Sequence, residues 1–330
     1  MRILFKTGYK QDLKLAKHSG HVFWYGLLII LFCAAPWMLD SYYIGELTRV
    51  LIYAMAGLGL MVVAGYTGQV SLGHAAFLAV GAYANAWCLS QGYSSFVGLS
   101  LAVIVSVFCG LLVAIPAARM SGVYLAIATI AFAIIVEDAI VHLDTFTGGN
   151  RGMSVDAPML FGAQLWDPWQ LYVMVLVLLI SVTLILMNLL RSPIGRAMIA
   201  VRDSEVSAQS LGIKVVPVKV FAFGVSAGIT GLAGGLLAHY LQYLAPEIFG
   251  ILLSIQLLLM VVMGGLGTVH GAFLGALLIG FLETGISIAK DFIPGSIGHI
   301  AGLEPLVFGL ILISVIVFEP TGLYGRWVKI

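Results

Sequence analysis

The stretch GYTGQVSLGHAAFLAVGAY, residues 65–83, places a polar, glycine-rich break between two long apolar runs. Irregular backbone at membrane depth needs protein or water around it, because hydrocarbon offers no hydrogen-bond partners. The break combines residues that allow backbones to approach closely with residues that form hydrogen bonds: Gly65, Gly68, Gly73, Gln69, Ser71 and His74. We therefore expect it to be enclosed by protein or to line a water-filled cavity.

The composition around this break fixes the class of protein. Of the 330 residues, 61% are hydrophobic and only 9% are charged, and the mean hydropathy is +1.07. A soluble domain carries about 25% charged residues, so the sequence predicts an all-α, polytopic helical membrane protein. A net charge of +1 gives no basic footprint for nucleic acid, and the three cysteines lie in apolar runs without metal-ligand spacing.

The number of membrane crossings follows from the length of the apolar runs, since each crossing needs roughly 20 apolar residues. About ten transmembrane helices are predicted, near residues 22–39, 44–64, 74–90, 96–116, 122–143, 169–190, 219–243, 250–266, 271–289 and 302–318. The run at 22–39 is longer than a signal-peptide core, and we interpret it as a retained first span. The lipid bilayer is thus a predicted partner of most of the chain.

The charged residues orient these helices. With the N-terminus in the cytoplasm, all but three of the 16 Lys and Arg residues fall on the cytoplasmic side, as the positive-inside rule requires. Both termini are therefore predicted to be cytoplasmic. The expected organisation is a basic arm over residues 1–21, a membrane domain over 22–318 and a short tail over 319–330.

Two connectors are longer than turns. Residues 144–168 form a predicted periplasmic loop, which is either a docking surface for an external partner or a loop lying on the lipid headgroups. Residues 191–218 form the longest cytoplasmic connector. There Asp203 or Ser204 can cap a short helix and Gly212 can close it, which suits either a handle for a cytoplasmic partner or a plain solvated connector.

Three segments together carry a family resemblance: residues 65–83, residues 195–213 (GRAMIAVRDSEVSAQSLGI) and residues 263–280 (MGGLGTVHGAFLGALLIG). They resemble the permeases of branched-chain amino acid ABC importers, the M-type subunit more than its H-type partner. The resemblance implies a subunit of a bacterial inner-membrane importer. Its expected partners are a second, H-type permease subunit, two cytoplasmic ATP-binding subunits and a periplasmic substrate-binding protein.

The same resemblance implies a role for the cytoplasmic connector as the coupling helix that docks into the ATPase. The positions that match are Arg196, Arg202, Asp203, Glu205, Ala208, Leu211 and Gly212. This sequence has no GxxxxGK[ST] phosphate-binding loop and no cluster of catalytic or metal-binding residues. We therefore expect no cofactor and no enzyme activity in this chain, with ATP hydrolysed on a separate subunit.

Polar residues within the predicted spans are candidates for the translocation path, because they are costly to hold in a membrane. Gln69, Ser71, His74 and Glu283 are predicted to line it. Buried hydrogen bonding or ion pairing is the alternative for these residues, and helix packing is the expected role of Gly65, Gly68 and Gly73. Glu46 and Arg49 stand three residues apart on one helix face and are expected to pair.

The function that the resemblance implies is import of leucine, isoleucine and valine, or of related small polar solutes, by ATP-driven alternating access. Related permeases serve urea, short amides or aromatic acids, so these substrates remain alternatives. A secondary transporter or channel working alone, and a membrane-embedded enzyme, are the other classes considered. The scarcity of charges within the spans and the long connector at 191–218 count against the stand-alone transporter, and the lack of clustered catalytic groups counts against the enzyme.

Overall fold

The fold is built almost entirely from α-helices. The computed structural model describes residues 19–160, 163–164 and 167–291, with single positions at 306, 309–310, 313–314, 317 and 322–323. The helices are α1 (Ser19–Met38), α2 (Ser41–Leu60), α3 (His74–Ser90), α4 (Ser95–Ala117), α5 (Val123–His142), α6 (Asp144–Thr147), α7 (Pro168–Arg191), α8 (Pro193–Asp203), α9 (Glu205–Ser210), α10 (Val215–Leu241), α11 (Ile251–Gly264) and α12 (Val269–Asp291). Most of the predicted N-terminal arm, the tenth span and the C-terminal tail lie outside the described residues.

Seven helices among the described residues are long and apolar enough to cross a membrane. They correspond to the predicted spans at 44–64, 96–116, 122–143, 169–190, 219–243, 250–266 and 271–289. The predicted span at 74–90 forms α3, which has 17 residues. The helical, multi-pass character predicted from the composition therefore agrees with the fold, while the count of ten and the orientation of the termini stay predictions.

Helix α10 lies at the centre of the bundle and packs against α2, α3 and α4. Glycines bring its backbone into direct contact with α3: a Cβ on Gly81 would overlap the carbonyl group of Gly231, and a Cβ on Gly234 would overlap that of Leu78. Small residues allow this close approach, and the van der Waals packing that results helps helices to associate in a membrane. Helices α4, α5 and α7 are largely exposed, and their apolar surfaces suit contact with lipid or with another subunit.

The predicted loop at 144–168 is partly structured. After α6 and a 3-10 turn (Gly149–Arg151), strand β1 (Met153–Ser154) pairs in antiparallel fashion with β4 (Tyr243–Leu244), directly after α10. Strands β2 (Met159–Leu160) and β3 (Ala163–Gln164) form a small hairpin. These four two-residue strands are a local addition to the all-α architecture, and the β1–β4 pair joins the loop to the segment that follows α10.

A predicted ion pair stands at the start of α2. Arg49 Nη2 lies 2.7 Å from Glu46 Oε2, which confirms the pairing expected from their spacing. The Thr284 hydroxyl on α12 lies 3.1 Å from the same carboxylate oxygen. The pair thus also connects α2 to α12.

Candidate functional site

The break between α2 and α3 is irregular, as its glycines and polar residues predict. Helix α2 ends in a π-helical turn, Met61–Gly65, and α3 begins at His74. Three other helices hold the intervening segment, residues 66–73, and the first turn of α3. Thr129 on α5 accepts from the Leu72 amide at 3.0 Å, Ser254 on α11 accepts from the Ala75 amide at 3.0 Å, and α10 contributes Ser226. Protein groups therefore satisfy these amides in place of water.

His74 is fully buried and bonded through both ring nitrogens. Its Nε2 lies 2.8 Å from the Ser226 hydroxyl, and its Nδ1 lies 2.8 Å from the Ser71 hydroxyl. Ser226 has a single O–H, which it donates to the Gly59 carbonyl at 2.6 Å. Donor counting therefore places the ring proton on Nε2, and Nδ1 accepts from Ser71. The imidazole joins the break to α10, and Ser226 continues this chain of hydrogen bonds to α2.

Gln69 lies in the same segment and is only 3% exposed. Its Oε1 lies 3.3 Å from the Thr67 hydroxyl, whereas its Nε2 has no hydrogen-bond partner among the described residues. Glu283 belongs to α12, but its side chain lies outside the described part of the chain. The path role predicted for these four polar residues remains a prediction; the contacts of Ser71 and His74 are those of buried, satisfied groups.

The three glycines of the break each stand against a neighbouring backbone or side chain. A Cβ on Gly73 would overlap the Thr129 carbonyl on α5, and one on Gly65 would lie 2.6 Å from the Gly267 amide nitrogen. Gly68 has a φ of +69° and faces Arg202. Residues with side chains fit poorly at these positions, and the contacts are of the kind that close packing requires.

The connector at 191–218 contains two short helices where the sequence predicts one. Helix α8 begins with Ser192, whose hydroxyl accepts from the Gly195 amide, and with Pro193 in the first turn. Ser204 separates the helices and caps α9 by accepting from the Ser207 amide at 3.2 Å. Gly212 closes α9 with a φ of +82°, and the Gly212 and Ile213 amides bond back to Gln209 and Ala208. The predicted cap and stop are confirmed.

The helix pair α8–α9 is tied to the bundle by two of the residues that the resemblance assigns to ATPase coupling. Arg202 Nη1 donates to the Gly65 carbonyl at 3.1 Å, and Glu205 Oε1 lies 2.6 Å from Lys219 Nζ. Lys219, in the first turns of α10, is 2% exposed. Arg202 and Glu205 thus make contacts within this chain while their side chains are still 36% and 43% exposed, and their role in ATPase coupling stays a prediction.

The other five positions that the resemblance assigns to ATPase coupling differ in their surroundings, from buried to largely exposed. Ala208 is buried against Val201 and Val215, Asp203 pairs with Arg202, and Arg196 donates to the Arg191 carbonyl at 2.9 Å. Gly212 shapes the helix end, and Leu211 is 79% exposed. Sequence reasoning missed two residues: Lys219, whose partner is not its neighbour in sequence, and Val206, which is 76% exposed and apolar on a short polar helix.

Comparison with known proteins places this arrangement among transport permeases. A family model described as "Branched-chain amino acid transport system / permease component" matches residues 42–316. The LivM permease protein of the high-affinity branched-chain amino acid transport system of Salmonella typhimurium is 32% identical over 321 residues, covering 90% of this chain and 73% of that protein.

Shorter matches extend to other permeases. A probable branched-chain amino acid transport permease protein LivH of Methanocaldococcus jannaschii is 30% identical over 164 residues, 47% of this chain and 48% of that protein. The ribose import permease protein RbsC of Haemophilus influenzae is 36% identical over 103 residues, 29% of this chain and 32% of that protein. No solved structure matches the chain significantly.

Proposed function

This chain belongs to the family of branched-chain amino acid transport system permease components, and we propose that it is the M-type permease subunit of an ATP-driven importer of leucine, isoleucine and valine. The observation that carries the proposal is the similarity to a LivM permease over 90% of the chain. The ribose permease match covers 29% of the chain, which supports the shared permease class more than a shared substrate.

The partners proposed for the complex follow from the family. Similarity to both LivM and LivH proteins implies a pair of permeases within one importer. An H-type subunit completes the membrane part, two ATP-binding subunits bind the cytoplasmic face, and a periplasmic binding protein delivers the substrate. The chain itself is a non-enzymatic subunit of a bacterial inner membrane, and the energy for transport comes from ATP hydrolysed on its partners.

The translocation path is proposed to lie between the two permease subunits. Within this chain, the glycine contacts between α3 and α10 bring the two backbones together and leave no room for a solute between them. The break at 66–73 stands at the N-terminal end of α3, and Gln69, which is buried within this chain, is proposed to meet the path when the helices move. ATP-driven movement of the ATPases then changes which side of the membrane the path faces.

The ATPase is proposed to dock on the exposed apolar side chains of the helix pair. Val206 is 76% and Leu211 79% exposed, and large apolar side chains that project from a polar segment favour a protein contact. Val206→Glu and Leu211→Glu are expected to reduce the amount of ATP-binding subunit that co-purifies with the complex. Gln209→Glu adds the same charge at a neighbouring exposed position and is the matched control. Unchanged co-purification in both apolar variants would contradict this docking surface.

Transport by the assembled complex tests the proposed function. Proteoliposomes carrying this chain with an H-type permease, the ATP-binding subunits and the binding protein are supplied with labelled leucine, ribose or urea. We expect leucine to accumulate only when ATP is present on the side of the ATPases. Accumulation of ribose or urea in place of leucine would refute the substrate, and ATP-independent uptake by this chain alone would refute the importer.

A further inference from the structure

Arg202, at the end of α8, spans from the helix pair to the membrane bundle. Its Nε and Nη2 donate to the Asp203 carboxylate at 3.0 and 2.9 Å, and its Nη1 donates to the Gly65 carbonyl at 3.1 Å. Gly65 is the last residue of the π-helical turn that ends α2. A cation at this position complements the unpaired carbonyls and the negative end of the helix dipole.

Glycines from two loops form the slot that holds this side chain. A Cβ on Gly68 would lie 3.1 Å from Arg202 Cγ, and a Cβ on Gly267 would lie 2.8 Å from Arg202 Nη1. Both glycines have positive φ, +69° and +80°. Gly267 belongs to the connection between α11 and α12, so the guanidinium lies where α2 and these two helices meet.

Backbone and sulfur atoms of these segments also lie close together at the junction. The Gly267 amide lies 3.1 Å from the Met61 sulfur, and a Cβ on Gly65 would lie 2.6 Å from the Gly267 nitrogen. Arg202 brings a charged side chain of the helix pair to this junction, where it reaches the Gly65 carbonyl and lies against Gly267. Glu205, on the other side of the Ser204 break, makes the separate tie to α10 through Lys219.

From this geometry we propose that Arg202 is a positioning residue for transport. It transmits movement of the helix pair to α2 and to the connection between α11 and α12, rather than binding the ATPase. The inference rests on the proposed function, since it assigns a route from the ATPase to the membrane bundle. Asp203 fixes the guanidinium plane through its two hydrogen bonds, and the glycine slot keeps Nη1 on the Gly65 carbonyl.

The test uses the complete complex in proteoliposomes and three measurements: co-purification of the ATP-binding subunit, the rate of ATP hydrolysis, and leucine transported per ATP hydrolysed. Arg202→Gln removes the charge-assisted bond to Gly65, and Arg202→Lys keeps the charge but cannot hold Asp203 and Gly65 together. Gly267→Ala leaves Arg202 in place and puts a Cβ 2.8 Å from Nη1, which displaces the guanidinium from the slot; Gly92→Ala, at a φ of +81° with nothing within 4 Å, controls for the strain of a side chain at positive φ. Lys214→Gln is the control, because it removes one positive charge from the same connector at an exposed position.

We expect Arg202→Gln to assemble with the ATP-binding subunit and to hydrolyse ATP like the control. Leucine transported per ATP is expected to fall at least about tenfold, the lower limit that corresponds to loss of one charge-assisted hydrogen bond. Arg202→Lys is expected to fall between the glutamine variant and the wild type. Gly267→Ala is also expected to lower the amount of leucine transported per ATP. If Arg202→Gln fails to fold, Gly267→Ala tests the role of Arg202 in transmission.

Two results would overturn the inference and leave the proposed function intact. Loss of the ATP-binding subunit from Arg202→Gln, with Gly267→Ala fully coupled, would make Arg202 a docking contact. Transport per ATP equal to that of Lys214→Gln in both variants would remove its role in transmission. Failure of the wild-type complex to accumulate leucine with ATP would instead refute the proposed function itself, and the inference with it.

Discussion

Replacing either partner of the Glu205–Lys219 ion pair tests how the helix pair is attached to the bundle. The two partners differ in burial: Lys219 is 2% exposed and Glu205 43%, with 2.6 Å between Nζ and Oε1. Removing the partner of a buried charge costs about 3–5 kcal/mol, whereas removing one partner of an exposed pair costs about 0–1 kcal/mol. Glu205→Gln leaves the buried Lys219 ammonium without a counter-charge. Because the carboxylate that it removes is half-exposed, the expected loss in the free energy of unfolding lies between these limits, at about 2 kcal/mol.

The reverse change is expected to cost less. Lys219→Met fills the buried slot with an apolar side chain, and Glu205 can then take up water, so the loss is below about 1 kcal/mol. The double variant Glu205→Gln/Lys219→Met is expected to resemble Lys219→Met alone, because no buried charge remains. Lys214→Met makes the same change at an exposed lysine in the same connector and is the control.

Thermal unfolding of the purified chain in detergent, followed by tryptophan fluorescence, ranks the stabilities of these variants. About 2 kcal/mol corresponds to a fall in Tm of about 3 °C for Glu205→Gln in a chain of this length. Lys219→Met and the double variant are expected to lie nearer the wild type, and Lys214→Met to match it. A larger loss for Lys219→Met than for Glu205→Gln would refute the reasoning, because the cost would then not come from an unpaired buried cation.

Three further predictions concern the bundle and the helix pair. Gly81→Ala forces a Cβ into the Gly231 carbonyl and is expected to lower the free energy of unfolding by about 1–3 kcal/mol. The control is Gly45→Ala, whose Cβ would have nothing within 4 Å, and its Tm should equal or slightly exceed that of the wild type. Equal Tm values for the two variants would contradict the close α3–α10 contact. His74→Leu leaves two buried hydroxyls short of a partner and is expected to cost about 2–3 kcal/mol, measured in the same assay, and a stabilised variant would argue against the bridge. Ser204→Ala removes the cap of α9 and is expected to cost about 1 kcal/mol, with faster amide exchange confined to residues 205–211; exchange unchanged there would show that the cap is not needed.

The parts of the fold that sequence could predict depend on short-range signals. The cap at Ser204 and the stop at Gly212 act on backbone groups within a few residues, so the sequence contains everything that forms α9. The same signals mark α8, where Ser192 precedes Pro193, but apolar periodicity over eleven residues is too brief to distinguish that helix from a connector. The apolar spans determine the architecture of the whole chain, yet each can be recognised from its own length and composition alone.

The candidate site depends on contacts that sequence alone does not carry. His74 meets Ser226, 152 residues away, and Arg202 meets Gly65, 137 residues away. Polar residues within a span indicate that a partner exists, but not which one. The assignment of Arg202 and Glu205 to ATPase contact came from matching positions in a motif, and position in a motif does not show whether a side chain faces inward or outward. The inward contacts of both residues become evident only from the packing of α8 and α9.

Residues 191–218 are proposed to lie in the cytoplasm, where a separate ATPase can reach them, and the side of the membrane that they face tests the proposed function most directly. Ser207→Cys introduces an exposed thiol into α9, in a chain whose native Cys33, Cys88 and Cys109 are replaced by alanine; Asn150→Cys, exposed in the opposite loop, is the reference. A membrane-impermeant maleimide is added to spheroplasts, which have lost the outer membrane but keep a sealed inner membrane. It should label Asn150→Cys and leave Ser207→Cys unlabelled until the inner membrane is opened. Labelling of Ser207→Cys in sealed spheroplasts would show that residues 191–218 face the periplasm, and would contradict their proposed contact with an ATPase.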